Sequence, residues 1–131
     1  MTGWQLNSGA SEAAIHEATT LLGYSLPSDY VQLLQQYNGG EGFIGENYLI
    51  LWKAEELGTF NREYEVKHYA PGLVLFGSNG GGEAYALDMR NDTMPVVRVP
   101  FIGMELSYAR VLATTLTSLL RQLANHHDNE V

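Results

Sequence analysis

A glycine-rich stretch between two apolar runs constrains the fold of this chain more than any other feature. The stretch, GSNGGGEAY, covers residues 77–85. Gly77 and Gly82 have the spacing of a phosphate-binding loop, but such a loop continues with Lys and then Ser or Thr. Glu83 and Ala84 occupy those positions, and a carboxylate would repel phosphate. Because glycine allows the positive φ of tight turns, the stretch predicts a turn joining two strands. A flexible edge that touches a partner is the alternative.

Hydrophobic periodicity predicts two helices in the first third of the chain. Residues 11–22 carry apolar side chains at helical spacing, and Gly23 ends the pattern. A second stripe follows Pro27, with residues at i, i+3, i+4 and i+7: Tyr30, Leu33, Leu34 and Tyr37. Asn38-Gly39-Gly40 supplies left-handed residues that end this helix.

The rest of the chain predicts several strands and a last helix. Strands are expected at residues 48–52, 73–76, 84–88 and 95–99, with a short helix at 54–60 and a polar, partly irregular link over 61–71. Leucines at helical spacing between Arg110 and Ala124 predict the final helix. We therefore predict an α+β fold: two N-terminal helices and a C-terminal helix packed on a mostly antiparallel sheet of about four to six strands.

Length and composition indicate one cytoplasmic domain. The 131 residues are predicted to form a single domain with its core at about 11–123 and a frayed tail at 125–131. No apolar run reaches the roughly 20 residues that span a bilayer, and the N-terminus lacks the pattern of a signal peptide. The absence of cysteine excludes disulfides and thiolate chemistry.

The charge balance argues against nucleic acid as a partner. Fifteen acidic and seven basic residues give a formal net charge of -8, whereas phosphate backbones attract clustered Lys and Arg. A basic protein partner fits this charge, because complementary charges speed encounter. The alternative is that the charge serves only solubility.

No pattern predicts a catalytic, metal or cofactor site. The four histidines, His16, His68, His126 and His127, lack metal-ligand spacing. Glu83 and Asp88 are two carboxylates near the glycines, but no His, Lys or Arg is expected beside them to complete an acid–base site. We predict a protein that is not an enzyme and needs no cofactor.

The landmarks together resemble the SUKH superfamily, which contains fungal cell-wall-assembly regulators and bacterial immunity proteins. The matching segments are Leu22-Gly23, Leu26-Pro-Ser-Asp-Tyr30, Asn38-Gly-Gly40, Leu51-Trp52, Glu55-Glu-Leu57 and the glycine stretch extended to Asp88. The resemblance covers roughly residues 11–123. It departs from the family at Thr19, where relatives often carry Glu.

The resemblance implies a protein-binding domain: an immunity protein that neutralises a toxin domain of the nuclease or deaminase class. A regulatory or scaffold domain that binds a cellular protein is the alternative. Acidic and aromatic residues cluster between positions 41 and 65, a composition suited to steering and anchoring a partner. The predicted contact residues are Glu41, Phe43, Glu46, Glu55, Glu56, Phe60 and Glu63. A solvated face with its aromatics in the core is the other interpretation, and Trp52 is expected to be core.

Overall fold

The computed structural model of the protein describes residues 4–125. In chain order, these residues form seven strands and five helices: β1 (Gln5–Leu6), α1 (Glu12–Leu22), α2 (Ser28–Gln36), β2 (Gly40–Ile44), β3 (Asn47–Leu51), α3 (Ala54–Glu63), α4 (Val66–Tyr69), β4 (Leu73–Ser78), β5 (Glu83–Asp88), β6 (Val96–Pro100), β7 (Arg110–Ala113) and α5 (Leu116–Asn125). No helix within this part of the chain is both long and apolar enough to cross a membrane.

The seven strands form one antiparallel sheet in the order β1 to β7, so each strand pairs with its neighbours in the sequence. Helices α3 and α4 contact β4, whereas α5 contacts β2 and β7, and α1 packs mainly on α3. The predicted α+β class and antiparallel sheet are confirmed. The sheet has one strand more than the upper limit of the prediction, because the sequence pattern did not reveal β1, β2 or β7.

The glycine stretch forms the turn of the β4–β5 hairpin, as predicted. The Asn79 N–H donates to the Glu83 carbonyl at 3.1 Å and closes the loop. The Asn79 side chain then accepts from the Gly81 N–H at 2.8 Å and the Glu83 N–H at 3.2 Å. Gly80 and Gly82 have φ of 75° and 98°, values that favour glycine. The glycines therefore serve backbone geometry.

Two predicted boundaries are wrong. Residues 110–113 form β7, and the last helix begins only at Leu116, because the Thr115 hydroxyl accepts from the Ser118 N–H at 3.0 Å and caps it there. The link over 61–71 is largely helical: α3 runs on to Glu63, and α4 follows. The predicted frayed tail at 125–131, with His126 and His127, lies outside the described residues except for Asn125, which is the last residue of α5.

The core lies between the helices and the central strands. Every residue of β4 is buried, and Tyr30 from α2 packs against Phe76 with ring centroids 5.3 Å apart. The Tyr30 hydroxyl is buried without a hydrogen-bond partner among the described residues, and this burial raises the pKa of Tyr30. Trp52 is 7% exposed, which confirms its expected place in the core.

Asn61 on α3 completes the free edge of β4. Strand β3 pairs with β4 only at its end, so the edge of Leu75 has no strand beside it. There the Asn61 Oδ1 atom accepts from the Leu75 N–H at 2.9 Å, and its Nδ2 atom donates to the Leu75 carbonyl at 2.9 Å. The same Nδ2 donates to the Leu57 carbonyl at 2.8 Å. One amide side chain thus imitates a neighbouring strand.

Asp88 and Arg90 form an ion pair at the end of β5. The Asp88 side chain is 4% exposed, and its carboxylate accepts from Arg90 Nε and Nη2, each at 2.9 Å. This hydrogen bonding to Arg90 lowers the pKa of Asp88 below its ordinary value.

The Asp88 pair predicts a stability contribution that acid removes. A lowered folded-state pKa stabilises the fold above the ordinary aspartate pKa near 4 and loses that effect as the pH falls through the folded-state value. We expect Asp88→Asn to lower the free energy of unfolding by about 1.5 kcal/mol at pH 7, with the difference shrinking below about pH 4. Urea unfolding of both proteins across pH 3–7 measures it. A difference that is constant over this range would contradict the ion-pair interpretation.

Candidate functional site

The seven predicted contact residues lie on two separate elements. Glu41, Phe43 and Glu46 belong to the β2–β3 hairpin, whereas the other four, Glu55, Glu56, Phe60 and Glu63, belong to α3. Asn38 connects the two elements: its side chain accepts from the Ala54 N–H at 2.7 Å at the start of α3, one residue before Gly39 leads into β2. The acidic and aromatic segment between positions 41 and 65 therefore contributes to two separate surfaces, one on the β2–β3 hairpin and one on α3.

The hairpin surface exposes one large aromatic side chain. Glu41 and Phe43 alternate with buried residues along β2, and Phe43 is 61% exposed. Its ring packs edge-on against Tyr48, with centroids 4.9 Å apart. The Tyr48 hydroxyl donates to the Glu41 carboxylate, which raises the pKa of Tyr48. Glu46 is exposed in the turn between the two strands.

Two of the predicted acidic contacts stabilise the start of α3. The Glu56 carboxylate accepts from the Lys53 N–H at 2.8 Å, as the third residue of a capping box does. The Glu55 carboxylate accepts from the Asn38 amide at 2.8 Å, and this hydrogen bond lowers the pKa of Glu55. Both charges also lie where the helix dipole favours anions. Changing either residue would disturb the fold as well as any contact.

An aromatic cluster lies along one side of α3. Trp52 packs edge-on against Phe60, with centroids 4.9 Å apart, and nearly parallel to Tyr64 at 6.3 Å. Phe101, which follows β6, lies 4.8 Å from Tyr64 and 6.4 Å from Trp52. Trp52 is buried, but Tyr64 is 42% exposed, and Ile102, the residue after Phe101, is 94% exposed. The cluster therefore extends from the core to the surface.

Acidic residues border this cluster. Along α3, Glu56, Phe60, Glu63 and Tyr64 follow one another at helical spacings of i, i+4, i+7 and i+8, which places them on one side of the helix. Glu63 makes no hydrogen bond or ion pair among residues 4–125. We call these four residues, with Phe101 and Ile102, the α3 face. Phe101 and Ile102 were not among the predicted contact residues, because β6 brings them to α3 from about 40 positions away in the sequence.

The carboxylates near the glycine loop have cationic partners, which corrects the expectation that none lies beside them. Glu83 Oε1 lies 3.2 Å from Arg98 Nε, and Asp88 pairs with Arg90. Within the described part of the chain, the Nε–H group of Arg98 makes no hydrogen bond, so its contact with Glu83 is electrostatic only. Among residues 4–125, no group of three or more His, Asp or Glu side chains could hold a metal ion.

The chain is an α+β domain, and exposed aromatic side chains beside carboxylates, as on its α3 face, are suited to contact with a protein partner. The sequence matches the model of the SMI1 / KNR4 family (SUKH-1) over residues 9–122, most of the chain, and the protein belongs to that family. This confirms the suspected SUKH membership. The family includes toxin-immunity proteins and SMI1/KNR4 regulators, is generally non-catalytic and binds partner proteins. A comparison with curated proteins finds no significant match.

Proposed function

We propose that this chain is a single-domain, cytoplasmic immunity protein, without catalytic activity, that binds a basic toxin domain of the nuclease or deaminase class. Binding blocks the toxin's active site or its access to substrate. The observation that carries the proposal is the α3 face, where exposed Tyr64 packs on Phe101, exposed Ile102 follows Phe101 in the chain, and Glu63 precedes Tyr64. Family membership supports the general role, and the net charge of -8 supports a basic partner.

The α3 face has the arrangement of an interaction hot spot. Aromatic anchors contribute most when their inner edges are held by packing, because little side-chain entropy is then lost on binding. Trp52 and Phe101 hold Tyr64 in this way. Carboxylates at the rim steer a basic partner toward the anchor. The hairpin surface around Glu41, Phe43 and Glu46 is the second part of the proposed contact area.

The first test is capture of the partner from the native cell. Tagged protein is incubated with lysate at low and high salt, and the bound proteins are identified by mass spectrometry. We expect one stoichiometric partner with a basic toxin domain, released by high salt. A cellular protein unrelated to toxins would instead support the regulatory or scaffold function, which the regulators within the same family make the second candidate. A toxin gene immediately upstream of the gene for this protein would favour the immunity function.

Charge reversal at Glu63 tests which surface makes the contact. Glu63 suits this purpose better than Glu55 or Glu56, because it does not cap the helix. We expect Glu63→Lys to weaken binding of the captured partner on the order of tenfold at low salt and less at high salt. Glu17→Lys is the matched control, since Glu17 is exposed on α1 and the net charge changes equally.

A paired tyrosine comparison separates anchoring from charge. Tyr64→Ala should weaken binding by about tenfold, whereas Tyr108→Ala, which removes a tyrosine that is 57% exposed outside the α3 face, should not. Melting temperatures confirm that both variants are folded. Loss of binding in Phe43→Ala alone would assign the contact to the hairpin surface. Full binding by Glu63→Lys and Tyr64→Ala would remove the α3 face from the proposal.

A further inference from the structure

A groove runs along the opposite side of α3 from the aromatic cluster. It has a cavity volume of about 320 Å³ and lies between the end of α1, α3, α4 and the start of β4. Its walls include apolar side chains from α1, α4 and β4: Leu21, Leu22, Val66, Leu73 and Val74. Leu21 is 55% exposed and forms part of the open side. Leu21 is therefore the exposed apolar wall of the groove, and the other four apolar side chains, each at most 5% exposed, form its floor.

Two cationic side chains line the groove together with these apolar residues. Arg62 and Lys67 both line the groove, together with His68. Neither Arg62 nor Lys67 has a hydrogen-bond or ion-pair partner for its side chain among residues 4–125. The carboxylate of Glu65 also lines the groove, so the fixed charges there sum to a small positive value. In a chain with a net charge of -8, this is a local reversal of sign.

The amide of Asn61, which also lines the groove, is already engaged. It is used by the Leu57 carbonyl and by both backbone groups of Leu75. The side chains of Arg62 and Lys67 are the positively charged groups that can bind a ligand of opposite sign. An anionic group satisfies them, whereas the apolar walls favour a hydrocarbon body.

We propose that the groove binds a small organic anion in which an apolar chain carries one carboxylate. The chain lies against Leu21, over the floor formed by Leu22 and Val66, and the carboxylate pairs with Arg62 and Lys67. The volume lies at the small end of the range of about 300–1,000 Å³ for ligand pockets, which suits a small molecule. This site is independent of the proposed toxin contact, because it uses the other side of α3.

Decanoate, decanol and decyltrimethylammonium test the proposal, since they share the chain and differ in charge. Each is titrated below its aggregation concentration into isotope-labelled protein, and the amide resonances are followed by NMR. We expect decanoate to shift resonances of α1, α3 and α4 and to bind most tightly. Equal affinity for decanol, or shifts located elsewhere in the protein, would overturn the proposal.

Charge variants of the groove should change the affinity for decanoate in opposite directions: removing a positive charge weakens binding, and removing a negative charge strengthens it. Arg62→Gln combined with Lys67→Gln should weaken decanoate binding by about two- to fivefold per charge, the range expected for exposed ion pairs. Arg121→Gln, an exposed arginine on α5, is the control and should bind like the parent. Glu65→Asn should strengthen decanoate binding by about two- to fivefold, because it removes one exposed negative charge that repels the carboxylate. Asparagine tolerates the left-handed backbone at this position, where φ is 53°.

A second pair of variants tests the contact between the ligand and the apolar wall of the groove. Leu21→Gln should weaken decanoate binding, whereas Val111→Gln, which replaces a somewhat more exposed apolar residue on β7, should not. If the charge variants and Leu21→Gln all bind decanoate with the parent affinity, the groove is not its binding site. Since none of these variants alters the α3 face, partner capture remains a separate measurement.

Discussion

Replacing Asn61 by leucine is expected to lower the free energy of unfolding by about 2–6 kcal/mol. The change removes three hydrogen bonds and leaves the N–H and carbonyl of Leu75 without partners at a buried strand edge. Each unsatisfied buried polar group costs about 1–3 kcal/mol. Leucine has the same branching as asparagine and is not smaller, so the substitution opens no cavity and the loss reflects the missing hydrogen bonds. Equilibrium urea unfolding measures it.

Gln32→Leu is the control for the Asn61 substitution. Gln32 is an exposed amide on α2 without a side-chain hydrogen bond among the described residues, so its replacement should change stability by less than about 0.5 kcal/mol. Asn61→Asp provides a second comparison, because a carboxylate can accept from the Leu75 N–H but cannot donate to its carbonyl. A stability for Asn61→Leu within the error of the parent would show that water satisfies Leu75 instead.

Truncation of Trp52 to alanine has the second large expected effect, about 3–5 kcal/mol of lost stability. Trp52 is 7% exposed and contacts Phe60, Tyr64 and Phe101. Its removal leaves a cavity at the centre of the aromatic cluster. We expect the melting temperature to fall by about 10–20 °C in a calorimetric scan.

Trp52→Phe and Trp4→Ala complete the Trp52 test. Phenylalanine keeps part of the ring packing and should recover a large part of the loss. Trp4 packs against the core but is only partly buried, and its indole donates to the Phe43 carbonyl, so Trp4→Ala should cost less. A Trp52→Ala protein that melts at the parent temperature would refute the core assignment.

The sequence predicted the elements whose signal is local and strong. The apolar run at 48–52 corresponds to β3, and the glycine stretch correctly marked the β4–β5 hairpin. Strand β2 was missed because Gly40 and Gly42 hide its pattern. Gly42 is required there, since an added Cβ would lie 2.8 Å from the ring of Trp4. That contact joins residues almost 40 positions apart, and no local pattern reports it.

The sequence predicted which residue types of α3 lie at the candidate site, but it did not predict how those residues are arranged. The acidic and aromatic residues of α3 are present at the surface, but the capping by Glu55 and Glu56 depends on Asn38 and on where the helix begins. Phe101 and Ile102 join the α3 face only because β6 ends beside it. The continuous leucine spacing before Leu116 similarly concealed β7, although the capping residue Thr115 could have revealed the helix start.

The strand order also bears on how quickly the protein folds. Pairing between strands that follow one another closes mostly short loops, and short loops are both fast and entropically inexpensive to close. We expect the hairpins β2–β3 and β4–β5 and the addition of β6 to form early. Strand β1 differs, because Gln5 pairs with Glu41 across 36 positions and the strand is two residues long. The amide protons of β1 should therefore exchange with solvent first, and its pairing should be the last step of refolding.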